Sequence, residues 1–435
     1  MLTREDNELI TRIGPGTPMG AAMRRYWMPA FLSEELPAPD CPPIRVGLLG
    51  EKLVAFRDSD GKVGLLDQNC PHRGASLFFG RNEECGLRCV YHGWKFDVAG
   101  DCVDMPNEPP ESNFKHKVRQ IAYPCEERGG VVWAYMGPPE KQTPLKDLEW
   151  MRLPKGHSFI SKTYESCNYL QGLEGGIDTS HSSFLHRRAL VGKPFDRTES
   201  IRARSTAPKL EVLNTDYGFT YAGIRNLPDE GQSYVRVYHF VMPFHQLRAF
   251  EGYLPDCPVV QGHMWVPIDD EHTWIYNWIY NRDGSELSEE EILLEERETG
   301  RAPEDLLPGH YLKANASNDY LIDRQAQRAG SYTGIPGVNT QDLAVQESMG
   351  PIYDRTKEHL GTTDVAVIAA RRLLLDAARD VQAGRDPIGA DGGSSDRVRP
   401  AERLIPASAA WYDAIADLLR VPSPAFAVRV GPGEG

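Results

Sequence analysis

Four residues constrain this chain more than any other feature: Cys70, His72, Cys89 and His92. They stand in Cys70-Pro-His-Arg-Gly74 and Cys89-Val-Tyr-His-Gly-Trp94, two short arms with sixteen residues between His72 and Cys89. Each arm pairs one thiol with one imidazole and runs straight into a turn glycine. Any fold must therefore bring two loop tips to one point. Mixed arms of this kind are the ligand set of a Rieske [2Fe–2S] centre, where two cysteines hold one iron and two histidines the other. Histidines in place of thiolates raise the reduction potential, so such a cluster takes up an electron readily and passes it on. Structural zinc also accepts Cys2His2, but zinc fingers usually pair Cys with Cys and His with His.

The residues around the arms read as a β scaffold. Short strands over 44–49, 53–57, 63–66, 96–98, 102–105 and 131–135 alternate with Gly- and Asp-containing turns, which predicts an antiparallel β domain with both arms on loops. Gly137-Pro138-Pro139 ends it, and 141–160 reads as a connector. Beyond 160 the pattern changes. A helix is expected over 164–187, then strands over 210–213, 219–224, 234–242, 259–267 and 272–280, and a charged helix over 287–298. A further helix begins at Thr363-Asp364 and stops near Gly384 and Pro387. Residues 385–405 read as a surface loop, and 408–420 as a short amphipathic helix. The fold class is α+β. Its expected units are an N-terminal helical segment (1–40) packing on the catalytic domain, an all-β cluster domain (41–140) and a catalytic domain with C-terminal helices (141–435).

A chain of 435 residues with 40% hydrophobic content can fill such cores. Its net charge of −14, without a basic block, argues against nucleic acid as a partner. The opening Met1-Leu-Thr-Arg-Glu-Asp-Asn-Glu8 lacks the apolar core of a secretory signal. No run of about eighteen apolar residues occurs, so no membrane span is expected, and the expected location is the cytoplasm. The cysteines stand at 41, 70, 85, 89, 102, 125, 167 and 257. In a reducing compartment those outside the arms are free thiols, with Cys85–Cys102 the one disulfide weighed against that reading.

A second constellation follows. Residues 168–186 read N-Y-L-Q-G-L-E-G-G-I-D-T-S-H-S-S-F-L-H, placing Asp178, His181 and His186 in the pattern D-x2-H-x4-H. Two histidines and a carboxylate, with positions left open, make the facial triad of non-haem Fe(II) oxygenases. At about 100° per residue, Asp178 and His181 share a helix face while His181 and His186 stand about 140° apart. Both histidines reach one metal only through a distortion, expected as a π-bulge at Ser182-Ser183. Asp178 could be a ligand, but its position better suits a carboxylate that orients a ligating imidazole and relays to an imidazole of the cluster. The third ligand then comes from Asp319, Asp323, Asp342 or Glu347, with Asp342 preferred.

Taken together, these segments resemble a known family, the oxygenase component of Rieske non-haem iron ring-hydroxylating oxygenases in the phthalate 4,5-dioxygenase-like branch. The likeness also runs through Gly14-Pro-Gly-Thr-Pro-Met-Gly20, Arg24-Arg-Tyr-Trp-Met-Pro29, Asn318-Asp-Tyr-Leu-Ile-Asp323 and Gln341-Asp-Leu-Ala-Val-Gln-Glu-Ser-Met-Gly350. The resemblance implies a second domain of helix-grip type, iron ligands His181, His186 and Asp342, and Asp178 as the bridge between centres. It also implies a homotrimer in which the electron crosses from one chain's cluster to its neighbour's iron. NADH would act through a separate flavin and ferredoxin-type reductase. No G-x-G-x-x-G follows a strand here, which agrees with a partner reductase.

The resemblance further implies an aromatic acid as substrate, hydroxylated with O2, or an aryl ether that is O-dealkylated. A carboxylate in a partly apolar pocket calls for arginine. Arg225, Arg236 and Arg248 lie on or beside strands expected to face the iron, and Arg248 is the first choice. Ser182, Phe184, Phe244 and Trp274 are candidates for the pocket wall. A Rieske protein limited to electron transfer needs only the first domain and leaves His181 and His186 without a role.

Overall fold

The computed structural model describes residues 1–109, 111–187, 197–250 and 259–421; Cys257 lies outside the described residues. In the N-terminal part, Ile44–Leu48, Glu51–Arg57 and Val63–Asp67 form one antiparallel meander. Four short strands, Arg81–Asn82, Leu87–Arg88, Lys95–Phe96 and Cys102–Asp104, form a second small sheet. Trp27–Leu32 pairs with Val131–Tyr135, which pairs with Cys125–Arg128. Val54, Phe56, Leu66, Leu77, Leu87 and Phe96 pack with Cys70, Cys89 and Trp94 in a core of their own. The first arm follows Val63–Asp67, and the second joins Leu87–Arg88 to Lys95–Phe96. Cys85 and Cys102 are free thiols, in agreement with the free-thiol reading and against the disulfide weighed beside it.

The remainder is built on an eight-stranded antiparallel sheet. Its path runs Ser158–Glu165, Thr273–Asn281, Val259–Pro267, His245–Phe250, Gln232–Val241, Gly218–Leu227 and Lys209–Asn214. Ala401–Pro406 pairs with the first half of Gln232–Val241, and His245–Phe250 with its second half. Three sequence expectations change here. Residues 401–406, read as loop, supply a strand whose partner lies far upstream. The strand 245–250 was not anticipated at all. The helix expected over 408–420 is limited to Trp411–Ile415 with a 3-10 turn after it.

Helices cover the sheet. Tyr169–Ile177 packs on Val259–Pro267 and on Val338–Glu347. The long helix Val365–Gln382 packs on Arg4–Thr11 and Pro18–Met23 and on the sheet edge. The helix expected over 164–187 is shorter than predicted. Residues 158–165 are the first strand of the sheet, Asn168 caps the helix by accepting from Leu170 N–H (3.2 Å), and Asp178 ends it in extended backbone. No helix among the described residues is long and apolar enough to cross a membrane.

Candidate metal centres

The two arms fold alike. Cys70 N–H donates to Ala75 C=O (2.8 Å) and Gly74 N–H returns to Cys70 C=O (2.9 Å); Cys89 does the same with Trp94 and Gly93, at 2.8 and 2.9 Å. Gly74 and Gly93 close these loops at φ +74° and +80°, backbone that favours glycine. Both thiols are buried. The His72 and His92 rings lie 4.4 Å apart, and His72 stacks on Trp94 at 4.3 Å. Burial, with Cys89 alongside, pushes the Cys70 thiol up to about 11, so this thiol would stay protonated without a metal. His72 Nδ1 is buried and meets no hydrogen-bond partner. A buried thiol pair and an orphaned imidazole nitrogen are the donor set a two-iron cluster satisfies.

The second centre forms where the helix Tyr169–Ile177 breaks. The predicted π-bulge is absent. Instead Asp178 Oδ1 accepts from the backbone N–H and hydroxyl of Ser180 (2.7 Å each), Oδ2 accepts from His181 N–H (3.3 Å), and a 3-10 turn carries His181–Ser183. That turn removes the helical phase difference. The Nε2 atoms of His181 and His186 come within 3.2 Å of each other, and Asp342 Oδ1 lies 3.6 and 3.2 Å from them. Asp342 arrives on Val338–Glu347. Gly175 and Gly176 allow the approach: a Cβ at Gly175 would stand 2.1 Å from Gln346 Nε2 of that helix, and one at Gly176 2.0 Å from the Trp265 ring. Glu174, on the same helix, accepts from Arg355 (3.0 Å) and Arg371 (2.6 Å), which fixes the helix from behind.

The imidazoles are held differently. Asp178 Oδ2 lies 3.6 Å from His181 Nδ1. Gln341 Oε1 is 2.8 Å from His186 Nδ1, while Gln341 Nε2 donates to Ile335 C=O (2.8 Å). The second bond fixes which end of the amide faces His186. His186 Nδ1 must then carry a proton, so in the neutral ring the free electron pair is on Nε2, which faces Asp342 and His181. Sequence reading missed Gln341, though it adjoins Asp342. Of the rival carboxylates, Asp323 caps Arg324–Ala329 and Glu347 accepts from Ser166 N–H (2.9 Å) and Tyr320. Asp319 lies in a turn at φ +51°. None of the three joins the histidines among the described residues.

The sheet presents a polar row to this centre. Tyr221, Tyr238, Arg248 and Gln261 are successive cross-strand partners. Tyr238 Oη meets Thr179 Oγ1 at 2.6 Å, inside the loop that carries His181 and His186. Arg248 is half-buried, donates from Nε to Gln261 (3.1 Å), and has no other side-chain partner among the described residues. Burial and Arg236 lower it to about 10, so it is a cation at neutral pH, within electrostatic reach of Asp342.

The other substrate candidates sit elsewhere. Arg225 is fully buried and donates to Ser205 C=O and Thr179 C=O, bracing the loop that leads to His181. Arg236 donates to Ala249 C=O and pairs with Glu402 at 3.4 Å. Ser182 donates to Thr179 C=O. Phe184 is 44% exposed. Phe244 lines a separate cleft with Tyr26, Trp27 and Trp133. Trp274 packs with Tyr164, Tyr311 and Lys162 beside the N-terminal β unit. The pocket-wall reading of Phe244 and Trp274 is corrected accordingly: strand aromatics here fill interfaces and core.

A thiol–imidazole cage on a β unit, joined to a sheet-and-helix unit with a pocket of two histidines and one carboxylate, defines an iron-dependent oxygenase with two metal centres. Residues 26–122 match the Rieske [2Fe-2S] domain, and residues 134–418 match the family described as LigXa C-terminal domain like. The 3-chlorobenzoate-3,4-dioxygenase oxygenase subunit of Comamonas testosteroni is 42% identical over 412 residues, covering 90% of this chain and 92% of that one. The phthalate 4,5-dioxygenase oxygenase subunit of Pseudomonas putida is 42% identical over 398 residues, covering 89% of each. The fold is also that of dicamba monooxygenase, solved with dicamba bound (TM-score 0.58, 19% identity, covering 83% of this chain and 99% of that one). The chain belongs to the Rieske non-haem iron ring-hydroxylating oxygenases, in the phthalate 4,5-dioxygenase-like branch. Its cofactors are a [2Fe–2S] Rieske cluster and a mononuclear iron.

Proposed function

We propose that this oxygenase hydroxylates an aromatic acid of the phthalate or substituted-benzoate type. The observation that carries the reading is Arg248, a buried-side cation with its terminal nitrogens unspent, on the sheet face beside Asp342. A guanidinium there matches a carboxylate in a bidentate fork and holds the ring toward the metal pocket. In this reading Cys70, His72, Cys89 and His92 hold the cluster, and His181, His186 and Asp342 hold the iron. When bound, these groups supply electrons one at a time and activate O2.

The chain's own residues do the rest. Gln341 keeps the proton of His186 on Nδ1. Asp178 turns the ligand loop and aligns His181. Thr179 and Tyr238 tie that loop to the sheet.

The assembly is a homotrimer. Its support is a pair of exposed apolar patches: Val90 (58% exposed) and Tyr91 (54%) beside the cluster cage, and Phe184, Leu321 and Tyr332 beside the iron pocket. In this reading one patch meets the other across the subunit boundary, with Asp178 as the bridge between a cage histidine and His181. Electrons come from a separate NADH-dependent flavin and ferredoxin-type reductase, which places the reaction in the cytoplasm. The units in this reading are a helical segment over 1–40, whose strand Trp27–Leu32 joins the β unit, a cluster unit over 41–140 and a catalytic unit over 141–435.

The test is a product screen with phthalate, isophthalate, chlorobenzoates, phenoxybenzoates and methoxybenzoates, using NADH and a reductase. Arg248→Met should raise KM for the accepted acid by about ten- to a hundredfold with little change in kcat, as loss of a charge-assisted pair predicts. Equal turnover of neutral analogues by the native protein would sink the assignment.

A further inference from the structure

One run of polar side chains crosses the interior and ends at both functional groups. Arg248 donates to Gln261 Oε1 (3.1 Å), and Gln261 Nε2 donates to Glu295 Oε2 (3.1 Å). Glu295 Oε1 pairs with Arg301 at 3.7 Å. Arg301 donates to Asn339 Oδ1, and Asn339 Nδ2 donates to Asp342 Oδ2 (3.4 Å). The same unit thus occurs twice: guanidinium, amide, carboxylate. Each amide is fixed in orientation, because guanidinium can only donate and carboxylate only accept. Gln261, Glu295 and Arg301 are buried. Glu296 closes the middle, accepting from Arg301 at 2.7 and 3.1 Å.

The charges of this run do not cancel. Arg248 and Arg301 face Glu295, Glu296 and Asp342, leaving one negative charge. A divalent metal on Asp342 together with one substrate carboxylate on Arg248 brings the group to neutrality. In a low-dielectric interior such chains polarise one another, so a displacement at one end is felt at the other.

We propose that Gln261, Glu295, Arg301 and Asn339 are positioning residues that hold the substrate's arginine and the iron's carboxylate in one register, so that altering either end of the run changes the affinity of the other. The inference rests on the assignment of Arg248 to the substrate carboxylate and of Asp342 to the metal.

The experiment uses the full chain with its cluster intact and the mononuclear metal removed by chelator. Co(II) affinity is measured without acid, and phthalate affinity without metal. Gln261→Leu removes the amide at the arginine end at nearly constant volume. Asn339→Ala removes it at the metal end. Both are neutral changes; far-UV circular dichroism and the thermal melt report that the sheet unit is folded, and the cluster's visible spectrum reports on the β unit. Gln261→Leu should weaken Co(II), and Asn339→Ala should weaken phthalate, each by about two- to thirtyfold, although neither residue touches the ligand in question. If each variant shifts only its own end, or shifts neither, the proposal is overturned. Arg248→Met separates this from the substrate reading. Unchanged phthalate affinity in that variant defeats the assignment of Arg248, while the Co(II) affinity of Gln261→Leu still reports on the run.

Discussion

The two centres of this molecule are built by opposite means. The cage of Cys70, His72, Cys89 and His92 is local: two loops of one backbone form, each closed on itself by a pair of hydrogen bonds, within a small core of its own. The pocket of His181, His186 and Asp342 is assembled at long range. A helix end, braced by a buried ion cluster at Glu174, leads into the turn that carries two imidazoles, and a second helix, seated against the first one's glycines, brings the carboxylate. The difference teaches where each centre is vulnerable. The cage stands or falls with its own four side chains. The pocket depends on packing far from the metal.

Asp342→Ala draws that contrast most sharply. It should reduce turnover to background while the protein keeps its brown colour and the cluster's visible and EPR spectra. Cys70→Ser should remove colour and turnover together and loosen the N-terminal β unit, because metal binding there is also folding energy. A colourless Asp342→Ala protein would mean that the two centres are not independently built.

Next in size is Glu174→Gln. Glu174 bonds to Arg355 and Arg371, both buried, and Arg371 also pairs with Glu358. Taking one carboxylate from such a cluster leaves buried cations underpaired and costs about 3–5 kcal/mol. The pH dependence carries a sign. Burial alone would raise the Glu174 carboxyl, but Arg355 and Arg371 outweigh it and hold it below its ordinary 4.5. Its stabilisation is therefore complete above about pH 4.5 and is lost as pH falls through the lower folded value. Chemical denaturation between pH 3 and 7 should show part of the native acid limb missing from Glu174→Gln, and an identical limb would refute the role of the cluster.

Gln341→Ala tests the pocket at the level of one hydrogen bond. Without the amide, His186 is free to take the other tautomer or rotate. The metal site should weaken by about ten- to a hundredfold, read by Co(II) titration, with the cluster spectrum unmoved. Gln341→Asn, too short to reach, should behave like the alanine variant, and Gln341→Glu should restore most of the affinity.

This division also decides what the sequence could reveal. The convergence of the cage side chains was legible because all four lie within one stretch, on two arms of matching form. His181 and His186 were legible as a pair, but the helix meant to carry them was not. Asp178 terminates it by bonding its own following turn, a local side-chain option that competes with the helix and leaves the apolar pattern unchanged. Asp342 was one of four carboxylates until the resemblance singled it out. Gln261, Arg301 and Asn339 gave no signal, because a buried amide or arginine looks like any surface residue until its partners, tens of residues away, are in place. The strand 401–406 was hidden in the same way by its polar, proline-bearing surroundings.

The predicted effect with the least bearing on turnover concerns a carboxyl that lacks what Glu174 has. Glu165 is fully buried, and neither oxygen meets a hydrogen-bond partner. Burial, reinforced by Glu347, raises it well above its ordinary 4.5. Here the sign is reversed. Below about pH 4.5 the folded and unfolded states both hold the proton. Above that, the unfolded chain releases it first, so native stability declines with rising pH until the folded value is reached, by at most about 1.4 kcal/mol per pH unit. Glu165→Gln has nearly the same shape and no proton to lose. Its stability should match that of the native protein at pH 4.5 and exceed it progressively toward pH 8, with turnover unaffected. A constant offset across that range would show that Glu165 ionises inside the fold, and that a partner stabilises its charge.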